Sequence, residues 1–179
     1  MIVRKQLLRL GVFGCFAFAS LAAAQTQTFN YTIPAVDVIA ASGAATINLT
    51  APAAGAVFAV GSSSTTTLAF TTNNGTLRNI TAALDSAMPI GTQLVLKPSG
   101  GTRTTDNLTF TGGTTPAFVT SATLTTTAAR LVTGTGATGG FKQVAYTGVT
   151  LTYELTASLE ATPQITNATR TITFTVIAN

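Results

Sequence analysis

From Val149 to Leu159 the chain reads VTLTYELTASL, and apolar and polar positions alternate without a break. Val149, Leu151, Tyr153, Leu155, Ala157 and Leu159 share one face. Thr150, Thr152, Glu154, Thr156 and Ser158 share the other. A period of two is the mark of a strand with one buried face. The last segment, TRTITFTVIAN, repeats the pattern with Ile172, Phe174, Val176 and Ala178 inward. The stretch EATPQITNA between them carries Pro163 and Asn167, and predicts that the two strands are antiparallel neighbours sharing one core.

Weaker alternation marks further strands. ATINLT turns Ile47 and Leu49 inward, TTTLAFTT Leu68 and Phe70, NITAALD Ile80, Ala82 and Leu84, TQLVLK Leu94 and Leu96, and NLTFT Leu108 and Phe110. Only NITAALDSAM leaves room for a helical turn, which Pro89 stops. Turn signals separate the runs: APAAG, NNG, MPIG, PSGG, TGGTTP and GTGATGG. Asn-Gly and Gly-Gly supply the positive backbone angles of tight turns. Threonine, 38 of the 179 residues, is β-branched and favours the pleated backbone over the helix. No fixed repeat is visible. Together these features predict an all-β chain folded as an antiparallel, immunoglobulin-like β-sandwich with one apolar face per sheet.

The N-terminus changes how the charge is read. Arg4, Lys5 and Arg9 precede an apolar stretch, and AAA stands before Gln25. That layout predicts a secretory signal over residues 1–24, cleaved after Ala24, with an apolar run too short for a helical membrane anchor. Phe13 stands where a lipidation signal at Cys15 would need a small residue. The expected mature protein is one domain, residues 25–179, exported to the periplasm, cell surface or exterior, with no stable membrane insertion. It keeps six basic against five acidic residues, so the basic balance of the whole chain belongs to the signal. Nucleic acid is therefore not an expected partner.

Candidate chemistry is sparse. The mature chain lacks Cys and His, which removes thiolate and imidazole metal ligands and Ser-His or Cys-His nucleophiles. Asp37, Asp85, Asp106, Glu154 and Glu160 are scattered, whereas glycoside hydrolysis needs paired carboxylates and calcium a cluster of oxygens. The tract from Thr133 to Gly140 has no following Lys and no helix to open, so it reads as a surface loop and not a phosphate cradle. The expectation is no catalytic site, no metal and no cofactor. Six Asn-x-Thr triplets, at Asn30, Asn48, Asn74, Asn79, Asn107 and Asn167, read as strand and turn chemistry. A covalent Lys–Asn bond involving Lys97 or Lys142 with Glu154 as the acid is not expected, nor is an ice-binding face, since Thr serves as the strand former of the solvated side.

The strand edges carry the functional reading. Sheet proteins guard exposed edges with charge, Pro or bulges, yet the mature chain has only 11 charged residues. At its start, in QTQTFNYTIPAVDVIAA, Phe29, Tyr31 and Ile33 alternate, Pro34 interrupts, and Val36 and Val38 resume in the opposite phase. Residues 25–40 thus form an N-terminal strand suited either to closing the chain's own sheet or to complementing a neighbour's. This layout of export signal, alternating N-terminal strand, Thr/Gly/Ala-rich body and alternating terminal strand resembles bacterial pilus-like and fimbrial subunits, without the cysteine pair common in chaperone–usher subunits. The resemblance implies a fimbrial-type sandwich and a structural role in a fibre or envelope layer. The implied partner is the protein itself or another envelope protein, bound through strand edges, with Phe29, Tyr31 and Ile33 as assembly residues. Two rivals stand beside it. One is a monomeric adhesion or ligand-binding module with an exposed apolar or aromatic patch; the other is a small outer-membrane barrel, for which girdle aromatics are few.

Overall fold

The computed structural model describes residues 27–104, 113–133, 139–161 and 168–179. The expected signal at 1–24, the NLTFT strand and much of the Gly-Thr tract and of EATPQITNA lie outside these. The chain divides into two units, Met1–Ile33 and Pro34–Asn179. The described part of the first, residues 27–33, has no assigned strand.

The second unit is all-β among its described residues. Its strands are β1 (Asp37–Ser42), β2 (Gly61–Thr72), β3 (Arg78–Leu84), β4 (Thr92–Arg103), β5 (Ala117–Phe118), β6 (Ala122–Thr123), β7 (Ala129–Arg130), β8 (Val132–Thr133), β9 (Val144–Ala157) and β10 (Ile172–Ala178). They form a five-stranded sheet in the order β1-β2-β9-β4-β6, a three-stranded sheet β10-β3-β7 and a pair β5-β8. Every ladder among the described residues is antiparallel. No helical turn forms in NITAALDSAM, where the strand passes straight into bends. ATINLT is not a strand either, though Ile47 and Leu49 are half-buried and press on Gly61, where a Cβ would lie 2.5 Å from the Ile47 side chain.

The pairing of β10 differs from the sequence expectation. It lies against β3, with Ile172 opposite Leu84 and Ala178 opposite Arg78, whereas β9 lies between β2 and β4 in the other sheet. Hydrophobic pattern fixes which face of a strand is inward but not which strand it pairs with. Core sharing survives the change. Leu68, Phe70, Leu96, Val149, Leu151 and Tyr153 from the larger sheet join Ile80, Ala82 and Leu84 of β3 in one buried cluster, with Ile172, Phe174 and Val176 of β10 packed on its margin.

Two bulges keep the long strands in phase with that core. The β2–β9 register slips between Ser63 and Thr66 and again between Leu68 and Phe70. The second slip sets two β9 residues, Thr147 and Gly148, against one of β2. Gly148 takes φ +72°, so the inward set changes from Val144 and Tyr146 to Val149, Leu151 and Tyr153. Beside it β4 carries Gly100 and Gly101, both at positive φ, and a Cβ on Gly101 would meet Tyr146 at 2.6 Å and Val149 at 2.8 Å. Phe70 packs tilted against Phe141 (centroids 4.8 Å apart) and stacks on Tyr146 (5.6 Å), which in turn meets Phe118 edge-on.

Two inward assignments fail at the strand ends, and a third strand turns in with the other phase. Leu159 lies past the end of β9 in a turn and is 69% exposed. Ala178 is exposed at the end of β10. In β1 the half-buried residue is Ile39, while Val38 is exposed. The expectation of one apolar face per sheet also breaks at β3, where Asn79 and Thr81 on the second face are buried as well. Asn79 Nδ2 donates to Asn179 Oδ1 at 2.7 Å, an oxygen that also accepts from Arg130. Asn79 Oδ1 has no partner among the described residues.

Candidate assembly interface

Phe29, Tyr31 and Ile33 are 82%, 75% and 73% exposed. Their spacing of two is that of side chains sharing one side of a strand. The Phe29 and Tyr31 rings accordingly lie 6.1 Å apart and nearly parallel. Phe29, Tyr31 and Ile33 form a closely spaced set of exposed large apolar side chains, whereas scattered single exposures are ordinary. Of the three tyrosines, Tyr31 alone is exposed; Tyr153 is buried and Tyr146 half-buried in the aromatic cluster. Burial pushes the Tyr153 phenol above its ordinary pKa, against the opposing pull of a hydrogen bond with Thr66.

The chain enters the second unit through an anchored segment. Asn73 Nδ2 donates to the Pro34 carbonyl at 2.7 Å, Asn73 Oδ1 accepts from Val36 N–H at 2.8 Å, and Asn73 N–H donates to the Val36 carbonyl. Next in line, Asp37 collects three donors. Thr72 Oγ1 lies 2.6 Å from Oδ1, while Asn74 Nδ2 (2.8 Å) and Arg78 Nε (3.0 Å) reach Oδ2. Burial raises the Asp37 pKa, but the hydrogen bonds from Thr72 and Asn74 and the Arg78 charge outweigh it, and the carboxyl sits below its ordinary range. The NNG turn therefore does more than reverse the chain: its asparagines and the flanking Thr72 and Arg78 fix the start of β1. The sequence reading of Asp37 as one of five scattered carboxylates missed this. The nearest signal was the run of polar hydrogen-bonding residues from Thr71 to Asn74, which alternation alone does not interpret.

Among the described residues, β1 runs from that anchored end along one edge of the larger sheet, and β10 forms an edge of the smaller. Ladder parity identifies which backbone groups each edge leaves open. Asn179 N–H donates to Leu77 and Asp85 N–H to Thr171, so odd-numbered residues of β10 face β3. Ile172, Phe174, Val176 and Ala178 turn their N–H and C=O groups the other way. The Asn73–Val36 bond sets even-numbered residues of β1 toward β2, which leaves Asp37, Ile39 and Ala41 open. Residues whose side chains point inward thus carry the open backbone groups on both edges. Ile39, Ile172, Phe174 and Val176 are all half-buried, so this corner of the core is incompletely covered. No charged side chain stands on β10 itself.

Elsewhere the structure brings little chemistry together. Lys97 Nζ and Glu154 Oε1 pair at 2.6 Å across β4 and β9, both partly exposed. Among the described residues no three metal-ligating side chains gather, and no helix is long and apolar enough to cross a membrane. Asn79, one of the six Asn-x-Thr starts, is fully buried. Shallow depressions at residues 91–93 with 156–158, and around Met88 and Leu124, are lined by uncharged side chains. No family model, curated protein or solved structure matches this chain.

Proposed function

We propose that this chain is an exported structural protein, a β-sandwich subunit of a fibre or envelope layer, which joins copies by strand addition and has no enzymatic activity. The observation that carries the reading is the exposure of Phe29, Tyr31 and Ile33 in one phase, directly before the anchored entry at Pro34. Strand addition supplies both missing terms. The apolar side chains enter a core, worth roughly 1.5–3 kcal/mol for each large side chain fully buried, and the backbone gains a ladder. The pooled core of the two sheets supports a sandwich over a membrane barrel, because Leu68, Val149 and Leu151 face protein and not a lipid phase. The sparse, scattered carboxylates support a non-catalytic role.

The test is deletion of residues 27–33 from the chain beginning at Gln25. The full chain is expected to form polymers and the deletion variant to remain a folded monomer; unaltered assembly after the deletion would sink the mechanism.

A second reading rests on a separate observation. Val57, Val60, Ile90 and Leu159 are 58–80% exposed, and their connections leave the same end of the larger sheet, where Gly61 pairs with Leu155 and Thr92 with Ala157. These apolar tips suit the monomeric adhesion module. That reading expects a protein that stays monomeric at all concentrations and loses surface attachment when Ile90 and Leu159 become Ser.

A further inference from the structure

We infer that Asn74-Gly75 is a self-modification site: Asn74 deamidates through a cyclic imide with the Gly75 nitrogen, and the carboxylate so formed releases the start of β1. This goes beyond the strand-addition reading and does not depend on it.

The chain holds a single Asn-Gly pair. Asn30, Asn48, Asn73 and Asn79 precede Tyr, Leu, Asn and Ile, whose side chains hinder attack by the backbone nitrogen that follows. Gly75 presents no such obstacle. Its N–H makes no hydrogen bond among the described residues, the residue is exposed, and a Cβ there would meet nothing within 4 Å. Water and base therefore reach the nucleophile. Nor does the fold call for glycine at this place, since its φ lies outside the positive region and its surroundings are open.

The reaction needs only water. Base removes the Gly75 amide proton, the nitrogen bonds to Asn74 Cγ, and the Cγ–Nδ2 bond breaks to release ammonia. Water then opens the imide at Cγ, leaving aspartate, or at the main-chain carbonyl, leaving isoaspartate with the backbone routed through Cγ. The net exchange is water in and ammonia out.

The group beside the departing amide gives the reaction its consequence. Asn74 Nδ2 donates to Asp37 Oδ2 at 2.8 Å, the oxygen that also accepts from Arg78 Nε at 3.0 Å. Deamidation replaces this donor with an anion facing an anion. Asp37 of β1 and Arg78 of β3 are the charged members of the cluster among the described residues. Arg78 is already set on Asp37, and its Nη1 donates to Thr76, so the new carboxylate lacks a counter-charge of its own. Asp37 also loses one of its three side-chain donors. The neighbouring Asn73 holds Pro34 and Val36, so the loosening reaches the entry of the N-terminal segment. In the closed state the Asp37 bond fixes the amide. Opening of β1 therefore speeds the reaction, and the reaction hinders closing.

Incubation of the chain from Gln25 in warm buffer at pH 8, followed by tryptic mapping, reads the site. No Lys or Arg lies between Gln25 and Arg78, so one peptide carries Asn30, Asn48, Asn73 and Asn74. Fragmentation is expected to place the amide-to-acid mass gain at Asn74, several-fold over the other three, in both aspartate and isoaspartate forms. Gly75→Ala, which fits the open backbone, should slow the gain several-fold, and Asp37→Ala should speed it. The consequence is read on fresh protein. At pH 7 Asn74→Asp should melt below Asn74→Ala, which loses the same hydrogen bond without adding charge, and the gap should close in strong acid as the carboxylates are protonated. No gain at Asn74, or a rate unchanged by Gly75→Ala, overturns the site. A rate that Asp37→Ala fails to raise overturns the hold of Asp37 on the amide. Asn74→Asp melting with or above Asn74→Ala at pH 7 overturns the release of β1.

Discussion

Replacing Asp37 by Ala should loosen the start of β1, and the structure gives the size and the pH signature of the effect. The carboxylate accepts from Thr72, Asn74 and Arg78 at 2.6, 2.8 and 3.0 Å, with about a third of its side chain exposed and Arg78 half as exposed. Hydrogen bonds to a charged group are worth roughly 1.5–3 kcal/mol when buried, and exposed ion pairs about 0–1. Discounted for solvent, the cluster contributes about 1–2 kcal/mol, or roughly 3–6 °C in Tm for a domain of this size. The folded pKa lies below the unfolded one, so the folded state binds fewer protons in between. The contribution is complete above the ordinary carboxylate value of about 3.9 and is lost as pH falls through the lower, folded value. Thermal melts of the wild-type chain and Asp37→Ala should therefore differ at pH 7 and converge in strong acid. With five carboxylates and no histidine in the mature chain, wild-type stability should otherwise be nearly flat from pH 5 to 9. A Tm difference of the same size at pH 2 as at pH 7 would refute the electrostatic origin, and none at pH 7 would refute the anchoring role.

Three further outcomes follow from the core and its bend. Gly101→Ala should cost about 2–4 kcal/mol in urea unfolding, combining a positive-φ penalty with contact on Tyr146 and Val149. Gly100→Ala, with open space around its Cβ position, should cost only about 1–2; equal losses would argue against the packing of Gly101 on β9. Leu151→Ala removes a fully buried side chain where both sheets meet and should cost roughly 2–5 kcal/mol, and a loss below 1 would place it outside the core. Because burial raises the Tyr153 phenol, its neutral form is preferred on folding, and stability should fall as pH rises above about 10. Tyr153→Phe should flatten that alkaline loss, measured by melts between pH 9 and 11, and an unchanged slope would contradict it.

Alternation made the inward faces of β2, β3, β4, β9 and β10 legible, because a period of two is a local property of the chain. Leu68, Phe70, Ile80, Leu96, Leu151 and Tyr153 all lie where it places them. Sheet order was not legible: the same inward phase in TRTITFTVIAN is satisfied against β3 as well as against β9. The bulges at Ser63–Thr66 and Gly148 were hidden for a related reason, since a one-residue slip leaves each half of a strand alternating normally. In the proposed assembly segment, Phe29, Tyr31 and Ile33 are exposed. The hold of Asn73 and Asp37 on the entry at Pro34 depends on polar contacts across some 35 to 40 residues, which no local pattern records.

The most direct test of the account is negative-stain microscopy of the purified chain from Gln25 across a concentration series, beside the same chain lacking residues 27–33. Strand addition predicts linear polymers that lengthen with concentration in the first sample and single particles throughout in the second. Monomers at every concentration in the first, or polymers of equal length in both, would contradict it.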